Sequence, residues 1–133
     1  MIAEGVARMA GEKILVVDDE AEIVELLRDI LTAEGYTVDA APTAADALQK
    51  IRENIYDLAL LDFNLPDMDG VMLHREIRQM DAELAGRAIF MSGLLQSDAN
   101  LGYYMSQSGG FLAKPFDIRD VLTQVRSVLG DEG

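Results

Sequence analysis

Apolar residues along the chain form short blocks separated by longer stretches with helical spacing. Residues 14–17, 58–61 and 88–91 are continuously apolar, as strands buried on both faces are. Residues 111–113 form a weaker block, and residues 36–40 alternate apolar and polar side chains, as a half-exposed edge strand does. The pattern therefore predicts five strands.

The intervals between the strands have apolar residues spaced three and four apart, which predicts helices. The four clear stripes are Ile23, Leu26, Leu27, Ile30 and Leu31; Ala44, Ala47, Leu48 and Ile51; Leu73, Ile77, Met80 and Leu84; and Ile118, Val121, Leu122, Val125 and Leu129. Thr43 and Asp117 are suitable N-caps, and Gly35 is suitable for ending the first helix. A further helix is predicted over 98–108. Five strand–helix repeats predict a parallel sheet covered by helices on both faces.

Polar residues follow four of the five strands. They are Asp18, Asp19 and Glu20 after the first strand, Asp62 after the third, Ser92 after the fourth, and Lys114 with Pro115 after the fifth. Because parallel strands present their carboxyl ends at one edge of the sheet, where α/β proteins bind ligands, these side chains should converge there.

Converging carboxylates need a compensating cation. Two unit charges about 4 Å apart repel by roughly 4 kcal/mol at an effective dielectric near 20. A divalent cation with oxygen ligands removes this conflict, and Mg²⁺ suits a site that keeps positions open for phosphate oxygens. With Lys114 as a second positive charge and Ser92 as a donor, the set meets the needs of phosphoryl transfer. Asp62 can serve as the nucleophile.

Composition narrows the class of protein. The chain has 133 residues, half of them hydrophobic, which is enough for one domain and one core. Its net charge of -13 argues against direct binding to nucleic acid, and the lack of cysteine excludes disulfides and thiolate metal sites. No apolar run suits a membrane span or a signal peptide. We expect a cytoplasmic protein with a flexible tail (1–12) and one domain (13–130).

Four motifs resemble the landmarks of a response-regulator receiver domain of two-component signal transduction. They are ILVVDDE (14–20), LLDFNLPDMDG (60–70), MSG (91–93) and KPF (114–116). The intervals of 30 residues from Asp62 to Ser92 and 22 residues from Ser92 to Lys114 also fit this family. The resemblance spans residues 12–129. It implies a flavodoxin-like, doubly wound (βα)5 fold, a three-layer α/β sandwich with strand order 2-1-3-4-5.

The resemblance also implies a metal site and a phosphorylation site. Asp62 would accept a phosphoryl group from a histidine kinase or a histidine phosphotransfer protein, with Mg²⁺ as cofactor. Asp19, Asp62 and the main-chain carbonyl of Asn64 would bind Mg²⁺ directly, and Asp18 would act mainly through water. Lys114 would contact the phosphoryl group, and its bond to Pro115 would be cis.

The same family resemblance implies a conformational switch. Ser92 would turn toward the phosphoryl group, and Phe111 would turn inward with it. This movement would reshape the face formed by the fourth helix, predicted over 98–108, together with the fifth strand and the fifth helix. A protein partner or an output domain outside this chain would read that face, and a phosphorylation-dependent dimer is compatible with it. The sequence leaves open whether the receiver stands alone or belongs to a longer regulator.

Two other functions compete with this one. A Mg²⁺-dependent aspartyl phosphohydrolase would favour a second acid two residues after the nucleophile, where this chain has Asn64. A receiver used only for interaction, without phosphorylation, would not need the acidic pair, Asp62 and Lys114. Because Asn64 replaces that acid, we expect no enzyme acting on an outside substrate.

His74 is predicted on the exposed side of the third helix, since Leu73 and Ile77 occupy the buried stripe.

Leu94 generates a kinetic prediction. In the family that this chain resembles, the residue two positions after the hydroxyl residue borders the phosphoryl group, and a leucine there cannot orient an attacking water. We expect Leu94→Glu to shorten the lifetime of the phosphorylated protein, measured by mass spectrometry as the loss of the phosphoryl group with time. An unchanged rate would contradict this role for Leu94.

Overall fold

The computed structural model of the chain describes residues 12–93 and 109–130. The strands are β1 (Lys13–Val17), β2 (Thr37–Ala41), β3 (Leu58–Asp62), β4 (Ala88–Ser92) and β5 (Gly110–Ala113). The helices are α1 (Ala21–Ala33), α2 (Ala44–Glu53), α3 (Gly70–Met80), the short α4 (Ala82–Gly86) and α5 (Ile118–Leu129). Within these residues, no helix is long and apolar enough to cross a membrane.

All five strands are parallel and follow the order β2-β1-β3-β4-β5, which confirms the predicted doubly wound topology. The strand predicted at an edge, β2, lies at one edge of the sheet. The continuously apolar strands β1, β3 and β4 are central, and every residue of β3 and β4 is buried. Continuous apolar runs are expected there, because helices cover both faces of a parallel sheet.

Two hydrophobic clusters pack on opposite faces of the sheet and make the three-layer sandwich. Alternate strand residues divide between them, since successive side chains of a strand point to opposite faces. One cluster joins Leu15, Val17, Leu61 and Phe90 to α2, α3 and α4. The other joins residues such as Leu60 to α1 and α5. Apolar contact on both faces fixes the strands and therefore the position of their carboxyl ends.

The predicted helix ends are confirmed at three places. Thr43 Oγ1 accepts a hydrogen bond from the N–H of Asp46, and Asp117 forms a capping box with Asp120. Gly35, just beyond the end of α1, has a φ of 97°, a left-handed conformation that favours glycine. These local signals were readable from the sequence because each involves residues close in the chain.

The third apolar stripe forms two helices, where the spacing predicted one. Asp81 has an extended backbone between α3 and α4, and its carboxylate accepts a hydrogen bond from the N–H of Leu84. This cap starts a new helix axis, so Leu84 is buried on α4 while Met80 is 39% exposed.

His74 is buried, so the prediction of an exposed position was wrong. Its exposed fraction is 4%, and its Nε2 lies 2.8 Å from the carbonyl oxygen of Ala85 on α4. Its ring also packs against Phe90, with 5.3 Å between ring centroids. Because α4 has its own axis, it packs over a side of α3 that a single straight helix would leave exposed to solvent.

Three predictions concern residues outside the described part of the chain. They are the helix predicted over 98–108, the role of Leu94, and the flexible tail except for Glu12.

His74, the only histidine of the chain, provides a pH prediction. Burial lowers its pKa, as does the charge of Arg78, although the hydrogen bond to Ala85 opposes them. The unfolded chain therefore takes up a proton at a higher pH than the folded protein, and stability falls as pH drops below about 6.5. We expect the wild type to lose stability relative to His74→Gln between about pH 7 and pH 5, measured by urea unfolding. Parallel pH profiles for the two proteins would contradict this.

Candidate functional site

The strand registers place Asp18 and Asp62 beside each other at the carboxyl edge of the sheet. Val17 pairs with Leu61, so the next residue of each strand lies at the same level. Main-chain hydrogen bonds continue past the strands, from the N–H of Asp18 to Ala41 O and from the N–H of Phe63 to Met91 O. The backbones that carry the two carboxylates are therefore held by the sheet.

Lys114 brings an amine to the same place from β5. Its N–H donates to Ser92 O, which fixes the backbone where the side chain begins. Its Nζ lies 2.9 Å from Glu20 Oε1, 3.0 Å from Asp18 Oδ2 and 3.6 Å from Asp62 Oδ1. Burial lowers the pKa of Lys114, but the hydrogen bonds with Glu20 and Asp18 and the charges of Asp18 and Asp62 raise it overall. The amine is therefore charged at neutral pH.

Asp18 is satisfied on both carboxylate oxygens. Oδ1 accepts from the N–H of Glu20 at 2.9 Å, and Oδ2 accepts from Lys114 Nζ. The residue is 1% exposed, so its carboxylate is buried beside the amine of Lys114. Hydrogen bonds of this kind offset the cost of burying a polar group.

Asp62 is less well compensated. Burial raises its pKa to about 6, and the charges of Asp18 and Asp19 act in the same direction. The hydrogen bond that Oδ1 accepts from the N–H of Asn64, at 3.2 Å, and the charge of Lys114 only partly oppose this. Among the described residues, no donor hydrogen-bonds Oδ2. Asp62 Oδ1 therefore faces both the N–H of Asn64 and, at 3.6 Å, Lys114 Nζ.

The other predicted site residues lie around this group. Asp19 is exposed, and its carboxylate is not among the three whose oxygens lie within 4.8 Å of one another. Ser92 is buried at the end of β4, opposite Ala113 in the register with β5. Phe111 is partly buried beside Phe90, and the bond between Lys114 and Pro115 is cis, as predicted.

Glu20 was expected at this edge of the sheet, but the sequence predicted no individual role for it. It is the third carboxylate of the group with Asp18 and Asp62, and it makes the shortest contact with Lys114. The DDE triplet contains this residue, but the order of residues does not reveal that Glu20 contacts the amine of Lys114 while Asp19 is exposed.

The donor set fits a magnesium ion. Three carboxylates around one ammonium leave two negative charges uncompensated when all three are ionised. One carboxylate oxygen from each of Asp18, Glu20 and Asp62 lies within 4.8 Å of the other two, so the site gathers the kind of oxygen donor that Mg²⁺ prefers. Hard oxygen ligands and a charge deficit of two match a divalent cation.

Comparison with known proteins agrees with this geometry. The family model for the response regulator receiver domain matches residues 14–126. The chemotaxis protein CheY of Bacillus subtilis (strain 168) is 34% identical over 120 residues, which cover 90% of this chain and 98% of CheY. The transcriptional regulatory protein ResD of the same strain is 38% identical over 118 residues, which cover 88% of this chain and 48% of ResD. The chain thus spans about half the length of that regulator.

Solved structures show the same architecture. A CheY-like receiver domain protein from Methanospirillum hungatei JF-1 is 30% identical, with a TM-score of 0.80 over 90% of this chain and 94% of that one. A two-component response regulator from Clostridium difficile is 27% identical, with a TM-score of 0.79 over 90% of this chain and 97% of that one. The chain therefore belongs to the response regulator receiver domain family of two-component systems, whose general role is to accept a phosphoryl group.

Proposed function

We propose that Asp62 is the phosphoacceptor of a two-component phosphorelay. The observation that carries this proposal is the position of its carboxylate at the end of a central buried strand, 3.6 Å from Lys114 Nζ and beside two further carboxylates. The donor is a phosphohistidine of a histidine kinase or of a histidine phosphotransfer protein. Family membership supports this choice of donor.

The transfer is a displacement at phosphorus. An Asp62 carboxylate oxygen forms the new P–O bond, the P–N bond to the histidine breaks, and the imidazole leaves with a proton from solvent. Lys114 moves from Asp18 and Glu20 toward the phosphoryl oxygens, where its charge stabilises the transition state. Mg²⁺, when bound, supplies the remaining positive charge at those oxygens.

The proposed magnesium ligands are Asp19, Asp62 and the main-chain carbonyl of Asn64, with Asp18 acting through water. Asp18 and Asp62 already share the buried part of the site. Asp19 is exposed in the metal-free protein, so its carboxylate would have to turn inward. Lys114 would give up part of its contact with the carboxylates as the dication neutralises them.

The proposed output is a change at the β5 side of the sheet. Ser92 would turn its hydroxyl to the phosphoryl group, and Phe111 would turn inward beside Phe90. This side also carries α5, and the residues 94–108 precede β5 in the chain. We propose that a protein partner or an output domain of a longer regulator binds there.

The proposed role is that of a switch, with self-phosphotransfer and self-dephosphorylation as the only chemistry. Asn64 follows Asp62 by two residues and provides no carboxylic acid to protonate the leaving group of a phosphate ester. A domain over 13–130 acting in the cytoplasm agrees with this role, because phosphohistidine signalling in this family takes place there.

Phosphorylation at Asp62 is the direct test. We expect incubation with acetyl phosphate and Mg²⁺ to add one phosphoryl group per chain, detected by intact-protein mass spectrometry. Asp62→Asn should abolish the added mass, whereas the exposed control Asp29→Asn should keep it. Addition to both variants would place the acceptor elsewhere, and continued release of phosphate from a generic ester would favour the hydrolase.

The charge of Asp62 provides a second test, on stability. The pKa of Asp62 is raised from 3.8 to about 6 on folding, so the unfolded chain loses this proton first as pH rises. Stability therefore falls between these two values, and the full cost is present above about pH 6. We expect Asp62→Asn to be more stable than the wild type by roughly 1–3 kcal/mol at pH 8 in EDTA, measured by urea unfolding.

The pH profile distinguishes this effect from a general gain in packing. The advantage of Asp62→Asn should shrink toward zero near pH 4, and Asp29→Asn should show no such trend. A variant less stable than the wild type at pH 8 without metal would contradict the unfavourable charge at Asp62.

A further inference from the structure

Asp67 joins the loop after the phosphoacceptor to the beginning of another helix. Its Oδ1 accepts a hydrogen bond from the N–H of Ala44 and its Oδ2 accepts one from the N–H of Ala45, both at 2.9 Å. These partners begin α2 and lie 23 and 22 residues away in the chain. The contact is therefore tertiary, although each half of it resembles ordinary helix capping.

The local cap of α2 does not replace this contact. Thr43 Oγ1 accepts a hydrogen bond from the N–H of Asp46, whereas the first two N–H groups of the helix donate to Asp67. Those two hydrogen bonds lower the pKa of Asp67, so the group is a carboxylate at neutral pH. A carboxylate at the positive end of a helix forms charge-assisted hydrogen bonds.

The loop that carries Asp67 is tied to the site at its base. The N–H of Gly70 donates to Phe63 O at 2.8 Å, and Asn64 forms an antiparallel bridge with Asp69. The N–H of Asn64 donates to Asp62 Oδ1. Asp67 lies between the two ends of this closed turn, so its contact with α2 is a second attachment of the segment that carries Asn64.

We propose that Asp67 is a positioning residue for the magnesium site. By holding the loop against α2, it keeps the backbone of Asn64 in the position where its N–H donates to Asp62 Oδ1 and where its carbonyl would serve a bound Mg²⁺. It acts through the loop, since it contacts α2 and not the acidic group. This inference rests on the proposed function, in which Asn64 is a metal ligand through its carbonyl.

The test compares two variants that each remove a cap of α2. Asp67→Ala removes the contact between loop and helix, whereas Thr43→Ala weakens the start of the same helix and leaves the loop in place. Magnesium binding to the unphosphorylated protein is measured by isothermal titration calorimetry, and amide hydrogen exchange at Asn64 and Gly70 is measured without metal.

We expect Asp67→Ala to weaken Mg²⁺ binding about 3- to 10-fold and to speed exchange at both amides. Thr43→Ala should stay within about twofold of the wild type in both measurements, and Asp67→Asn, which keeps one acceptor, should be intermediate. With acetyl phosphate as donor, Asp67→Ala should need more Mg²⁺ for half-maximal phosphorylation and reach a similar rate at saturation.

Equal effects of Asp67→Ala and Thr43→Ala on Mg²⁺ binding, or no effect of either, would reduce Asp67 to a helix cap and overturn the inference. A wild type that neither binds Mg²⁺ nor gains a phosphoryl group would overturn the proposed function and the inference with it. If Asp67→Ala does not fold, Asp67→Asn decides, because unchanged binding and exchange in that variant contradict the role.

Discussion

Three carboxylates share one ammonium at the carboxyl edge of the sheet, and the rest of the structure keeps this unbalanced group together. Without the fold, the carboxylates of Asp18, Glu20 and Asp62 would separate in water, because like charges within 4.8 Å of one another repel. They stay close because β1 and β3 are adjacent parallel strands with apolar residues buried on both faces. Hydrophobic packing thus supplies the free energy that holds these carboxylates close together.

The fold followed from the sequence to the extent that local spacing determines it. Apolar periodicity identified the strands and most helices, and Thr43 and Asp117 marked helix starts correctly. The failures at Asp81 and His74 have one cause. A single cap at Asp81 turned the chain by starting α4, and the new helix then buried a face of α3 that the apolar stripe alone assigns to solvent.

The candidate site was predictable where residues directly follow strands, because strand order then fixes where they lie. Asp18, Asp62 and Lys114 meet this condition. Glu20 does not directly follow a strand. Its position depends on the turn in which its N–H donates a hydrogen bond to Asp18 Oδ1. Asp67 is harder still, because a carboxylate that caps a helix 22 residues earlier leaves no periodic signal in the sequence. Contacts between loops require the tertiary structure.

The proposed phosphorylation of Asp62 would change the charge balance next to β5. A phosphoryl group would add negative charge at Asp62. Its oxygens would compete with Glu20 for the amine of Lys114, so the contact between Lys114 and Glu20 would weaken. Lys114 directly follows β5, a four-residue strand paired only with β4 among the described strands. A force on Lys114 therefore acts on an edge strand of the sheet, where Phe111 is only partly buried. The central strands, packed on both sides, would hold the acceptor still while this edge responds.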